Sequence, residues 1–288
     1  MRSNIASRRF AFKTRRVIVI ALYGLVQAYA QPATSAEKPI ASAPAAVAAT
    51  APQAEARSIL MRMAEYMGTA QRFSVSVRGG YDAVQKSGRK IEFGESRKIT
   101  LSRPDRLRIE GERSDGAKTL TVFDGKQITL VDARTNVYAT APQPGSIDES
   151  IVYFVRDLGL RLPLAALLVS RLPAEFQERV RSVDYVEKTS IYGSPSHHLA
   201  ATTDTVDFQV WVSDGDKPLP VRVVLTYKKA PGQPQFWAQF SDWNLAPSIA
   251  DSTFAANAPV GAQKVAFAAQ LARTSPAMRK SSDIGAQR

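Results

Sequence analysis

Two adjacent histidines, His197 and His198, are the only imidazoles in the 288 residues, and the chain has no cysteine. Thiol nucleophiles, disulfide scaffolds, cysteine-bearing zinc sites and iron–sulfur clusters are therefore excluded, as is a lipobox. Residues of alternating character surround the histidine pair, and neighbours in a strand point to opposite faces, so regular strand geometry denies both rings to one metal ion. The preferred reading is one inward, packed histidine and one exposed. A hydrolase pairing either ring with a nearby carboxylate stays open as the alternative. Asp204, Asp207, Asp214 and Asp216 form the densest acidic stretch. A glycosidase pair or a calcium loop uses such residues, but Gly215 and Pro218 mark a turn whose aspartates cap backbone groups. Gly111 and Gly116 have phosphate-loop spacing, yet Ala117 stands where the lysine belongs. Arg97, Lys98, Arg103, Arg106, Arg108 and Arg113 make a basic run; Arg106 and Arg108 alternate with Leu107 and Ile109 and read as a solvated outer face. Trp211, Trp237 and Trp243 read as sheet packing rather than as a sugar platform. No zincin, nucleophile-elbow or dinucleotide-binding motif occurs, so the residues imply no cofactor and no metal.

The elements that must position these residues are mostly strands. Phe73, Val75 and Val77 alternate with serines and arginine, and Ile91, Phe93, Ile99 and Leu101 continue the period of two. Leu120 and Val122 precede Asp124-Gly125, and Ile128 and Leu130 follow it, a strong hairpin signal. Asp115-Gly116 and Asp214-Gly215 supply two more turns. Strands resume from Val183, and Val206 to Val212, Val221 to Tyr227 and Gln235 to Leu245 are the clearest. The pattern predicts nine to eleven antiparallel strands. Helix signals are confined to two places. Ala56, Ile59, Met63 and Met67 share one helical face, with Gly68 as its expected C-terminal cap. Between Ser146 and Ser182, Ser146 and Glu149 have capping-box spacing, and Pro163 and Pro173 divide the segment into short helices. A sheet with one apolar face must be covered, and these helices are the available cover. The fold class is mainly β (α+β), a curved antiparallel sheet closed by short helices.

Residues 1–30 hold six basic residues and no acidic one, then the apolar run Val17 to Val26 and Ala28-Tyr29-Ala30. That is the order of a signal peptide, too short in its apolar part to span a bilayer stably. Arg8-Arg9 resembles a twin-arginine signal, so either the Sec or the twin-arginine route leads to the periplasm. Without the leader the formal charge falls from +12 to +6, which gives little support for a nucleic-acid partner. Residues 31–54 are Ala- and Pro-rich and read as a disordered linker, 55–271 as the folded domain, and 272–288 as a disordered tail.

One ordered string of segments is distinctive. His197-His198-Leu199, Val206-Asp207-Phe208-Gln209-Val210-Trp211-Val212, Asp214-Gly215-Asp216-Lys217-Pro218-Leu219-Pro220, Ser241-Asp242-Trp243-Asn244-Leu245 and Phe254 through Pro259-Val260-Gly261 follow one another. With Phe123-Asp124-Gly125-Lys126 and Asn136-Val137-Tyr138-Ala139, they resemble an uncharacterised family of predicted periplasmic proteins, similar in fold to the LolA/LolB-type lipoprotein carriers. The resemblance implies a half-barrel with an apolar cavity that binds acyl chains or similar ligands, and no catalytic residue carries over from it. The expected role is non-catalytic binding or carriage of lipid or lipoprotein acyl chains. The expected lining is Val75, Val77, Phe93, Leu107, Ile109, Leu120, Val122, Leu130, Val210, Val223, Leu225 and Phe240, with Phe154 and Leu158 on a helical lid. An envelope sensor that recognises a protein partner on the same fold is the alternative.

Overall fold

The computed structural model describes residues 51–160 and 162–268, so the expected leader, most of the linker and the tail lie outside the described residues. The described residues open with helix α1, Ala51–Thr69. The helix thus reaches into the expected linker, and Pro52 lies at its described start, where a missing N–H is tolerated. Six strands follow: β1 (Arg72–Val84), β2 (Lys90–Ser102), β3 (Arg106–Arg113), β4 (Lys118–Phe123), β5 (Gln127–Asp132) and β6 (Val137–Pro142). Then come α2 (Ile147–Val152), a π-turn at Tyr153–Asp157, a 3-10 turn at Ala165–Leu168 and α3 (Leu172–Arg179). Strands β7 (Ser182–Thr189), β8 (Ser196–Thr202), β9 (Val206–Ser213), β10 (Pro220–Tyr227) and β11 (Gln235–Asn244) precede a 3-10 turn at Asp251–Phe254 and the short β12 (Gln263–Lys264).

The twelve strands among the described residues form one open sheet in the order β12-β6-β5-β4-β3-β2-β1-β11-β10-β9-β8-β7. Every pairing is antiparallel except β12 on β6, which is parallel. This mostly β architecture with few helices is the fold class that the sequence predicts. The Asp-Gly turns fall where expected. At Asp124-Gly125 the carboxylate accepts from the N–H groups of Lys126 and Gln127 at 2.9 and 2.8 Å, while Gly125 takes φ 83°.

The inner face carries the core, and the helices lie on it. Ile59, Leu60, Met63 and Met67 of α1 are buried together with Phe73, Leu101, Leu199, Val210 and Phe236 from strands on both sides of the sheet. Burying each such side chain is worth roughly 1.5–3 kcal/mol. Gly68 is not the cap of α1. A Cβ there would lie 2.6 Å from the Ser170 carbonyl oxygen and 3.2 Å from Pro173 Cδ, so glycine allows α1 to press against the segment entering α3. Pro173 in turn belongs to the first turn of α3 rather than separating two helices. The capping box of α2 is present: the Ser146 N–H donates to Glu149 at 2.7 Å, and the Glu149 N–H donates to the Ser146 hydroxyl at 3.3 Å.

After β11 the chain straps across the outer face. The Asp251–Phe254 turn lies against β3, Arg108 donates to the Thr253 carbonyl at 3.2 Å, and Phe254 is buried apart from the main core. Beyond it, β12 pairs with β6 and Phe267 rejoins the inner core.

Candidate functional site

Two cross-strand rows build the floor of a cavity. Ile99, Ile109, Thr121, Leu130 and Ala139 stand opposite one another across β2 to β6, and Leu101, Leu107, Phe123, Ile128 and Ala141 form the next row. Ile151, Phe154 and Leu162, from α2, the π-turn and the segment after it, form the roof. Between floor and roof lies a cavity of about 80 Å³. A second void of about 20 Å³ touches Val75, Val77, Phe236 and Phe240, and Arg97 and Leu162 border both. For scale, an engineered dry cavity of about 150 Å³ admits benzene. The resting interior is thus largely filled by the protein's own side chains, with space left for a few methylene groups.

The roof is a thin cover with a rigid root. Asp148 of α2 accepts from the Ser170 N–H at 2.9 Å and from its hydroxyl at 2.7 Å. Arg103 donates to the carbonyls of Ala70 and Leu168 at 3.0 and 3.1 Å and lies 3.5 Å from Asp148. Burial pulls the Arg103 guanidinium below its ordinary value, and the Asp148 carboxylate opposes that. Arg103 is therefore an internal brace rather than part of a solvated face. The roof itself contains a π-turn, a geometry that recurs at functional sites.

Of the expected lining, Leu107, Ile109, Leu130 and Phe154 border the larger cavity, and Val75, Val77 and Phe240 border the smaller void. Leu158, Val210 and Val223 are buried in the same core but touch neither space, and Leu225 packs at its margin. Phe93 is 41% exposed and stacks on Tyr81, with ring centroids 5.9 Å apart. Leu120 and Val122 lie on the outer face. The register pairs Ile109 with Thr121 and Leu107 with Phe123, so the odd-numbered residues of β4 face inward. Alternation alone misses that phase because the strap gives the outer face apolar residues too. Thr121, Phe123, Ile128, Ile151 and Leu162 are among the lining residues of the larger cavity that are missing from the expected set. Phe123 and Ile128 could have been found by counting outward from the Asp124-Gly125 turn.

The charged residues separate likewise. Arg97 and Arg113 of the basic run share the inner face with Glu95, at the cavity mouth, whereas Lys98 and Arg108 are on the outer face. His197 faces inward: its Nδ1 lies 3.1 Å from the Tyr185 hydroxyl and its Nε2 3.1 Å from Asp214. His198 is on the other side, stacked on Trp211 at 3.9 Å. Asp204 binds Arg181 at 2.7 Å, Asp207 binds Lys228 at 2.8 Å and Asp214 binds Lys188 at 2.6 Å. Each of these three carboxylates thus has its own cation, and the described residues contain no cluster able to hold a metal ion. No described helix is long and apolar enough to cross a membrane.

No curated protein matches the chain. Among solved structures, the LolA superfamily protein from Nitrosomonas europaea is 12% identical over 70% of this chain and 97% of its own, at a TM-score of 0.38. Lipoprotein LppX from Mycobacterium tuberculosis is 12% identical over 67% and 97%, at 0.41. A chain of the Pseudomonas aeruginosa MucA/MucB complex is 19% identical over 71% and 62%, at 0.38. At these identities and scores the likenesses assign no function. The sequence itself places the chain more firmly. Residues 56–268, nearly everything from α1 to the end of the strap, match the family described as predicted periplasmic protein (DUF2092), and to that family this chain belongs.

Proposed function

We propose that the protein is a non-catalytic periplasmic binding protein for apolar ligands, acyl chains of lipids or lipoproteins above all, exported through a leader in residues 1–30 by the Sec or twin-arginine route. The observation that carries this reading is the cavity of about 80 Å³ enclosed between the β3–β5 floor and a roof made of short turns. An unfilled apolar space of that size forgoes about 2 kcal/mol of packing at ~24 cal/mol per Å³, which a ligand recovers on entry. The closed state accepts only a stub of a chain, so a longer one requires the roof to lift. Gly159 and Leu164, both left-handed at φ 64° and 69°, flank the segment that carries Leu162 and are natural points for that movement.

The test is calorimetric titration with decanoate and decanol against the wild type, Ile109→Trp and Leu120→Trp. Ile109→Trp fills the cavity and should abolish binding, while Leu120→Trp, on the outer face, should leave it unchanged. Failure of the wild type to bind either compound would overturn the reading.

One observation favours a protein partner as a second reading. Strand β7 ends the sheet, and Val186 and Ile191 beside that edge are 50% and 78% exposed. A partner strand could add there. Aspartate at both positions should then remove partner capture while sparing ligand binding.

A further inference from the structure

The walls of the cavity are hydrocarbon, but its mouth is not. Glu95 and Arg97 sit there with side chains only 12% and 18% exposed, Arg97 Nη2 lying 2.7 Å from Glu95 Oε1 and 3.0 Å from Oε2. A nearly buried ion pair is a poor way to gain stability, because desolvation offsets its attraction. Arg113, opposite Glu95 across the β2–β3 register, lines the same mouth. Its Nη2 reaches out to Asp115 at 3.1 Å. Its Nε is fully enclosed and has no hydrogen-bond partner. Enclosed donors almost always find an acceptor, and this one belongs to a residue that lines the cavity mouth. The remaining charges do not supply it. Glu112 lies toward Lys118 at 3.9 Å, and both Glu95 oxygens are taken by Arg97. The mouth therefore has a donor to spare, and the carboxylate facing it across the register, Glu95, is engaged by Arg97.

We infer that the cavity takes an amphiphile with an oxyanion head, a carboxylate or a phosphate ester. Its tail lies among Ile109, Phe123, Leu130 and Phe154, and its head accepts from Arg113 Nε, with Arg97 alongside. This rests on the apolar-ligand reading above and adds the class of headgroup. A guanidinium suits such a head because its N–H groups match paired oxygens in one plane. A cationic head would meet two arginines, and a neutral head would gain little from them.

Titration of the wild-type protein with decanoate, decyl phosphate, decanol, decyltrimethylammonium and inorganic phosphate tests this directly. Decanoate and decyl phosphate should each bind at least tenfold more tightly than decanol, with the ammonium compound weakest. Whichever of the two anions is tighter identifies the natural head as carboxylate or phosphate ester. Arg113→Gln should cut that anion preference to threefold or less without affecting decanol. Equal affinity for decanol and decanoate would overturn the headgroup inference and leave the apolar cavity standing. Absence of binding by every decyl compound would overturn the cavity reading itself. Inorganic phosphate binding as tightly as decyl phosphate would overturn the amphiphile in favour of a bare ion. The wild-type series decides the matter even if the variant fails to fold.

Discussion

Gly68 in α1 and Ser170 before α3 approach so closely that the smallest side chain at Gly68 would lie 2.6 Å from the Ser170 carbonyl oxygen. The same Ser170 donates to Asp148 through both its N–H and its hydroxyl, so this junction fixes α1, α3 and the root of the cavity roof together. The atom in the way is backbone and cannot rotate aside. Gly68→Ala should therefore destabilise the fold by about 1–3 kcal/mol, the usual range for an overpacked contact. Urea unfolding measures it, with an unchanged midpoint as the contrary result.

Arg103 bridges the end of α1, the 3-10 turn and α2 through two carbonyls and one carboxylate. Arg103→Met keeps much of the volume but leaves buried acceptors unpaired, at about 1–3 kcal/mol. Amide exchange should quicken over residues 147–170 more than in β8–β10. Uniform quickening would show that the brace serves the whole fold rather than the roof.

Thr121 projects into the cavity from β4 while Val122, its neighbour, projects outward. Thr121→Ile should raise stability by no more than about 2 kcal/mol, the ceiling set by the cavity volume. It should also weaken decanoate binding at least tenfold. Tighter binding would place the ligand elsewhere.

Phe254 tests the strap. It is buried at 6% exposure, outside the main core, and Phe254→Ala should cost about 3 kcal/mol, as large-to-small changes do at buried aromatics. Loss of less than about 0.5 kcal/mol, the level of an ordinary surface change, would show that the strap does not cover the sheet.

Acid should release the bond between β7 and the turn after β9. The Lys188 ammonium, hydrogen-bonded to Asp214, and then the His197 imidazole hold the Asp214 carboxyl below its ordinary value. A carboxyl that ionises more readily folded than unfolded stabilises the fold above its unfolded value, about 3.9, and loses that contribution as pH falls through the lower folded value. Wild type should thus exceed Asp214→Asn in stability at neutral pH by a constant margin that shrinks only in the acid range. A margin that did not shrink in the acid range would remove Asp214 from this account.

The sheet was legible because its signals are local. Alternation, three Asp-Gly turns and the Ser146–Glu149 box each depend on a few adjacent residues, and each marks a real element. What escaped depends on distant chain. The inward phase of β4 follows from pairing with β3 and from a strap that arrives about 130 residues after it. Gly68 looks like a cap because nothing nearby announces Ser170, and Arg97 and Arg113 look solvated because their run also contains truly outer residues.

The two ends of the sheet are unequal. At one end the two residues of β12 lie over β6, leaving too short a ribbon for another chain to extend. At the other, β7 offers a longer flank interrupted by a bulge near Val186. Growth into a fibre by lateral addition requires a docking flank on both margins of every copy. With β12 covering only Val137 and Tyr138 of β6 on one margin, β7 is the longer flank, and copies that met through it would join in pairs rather than in rows.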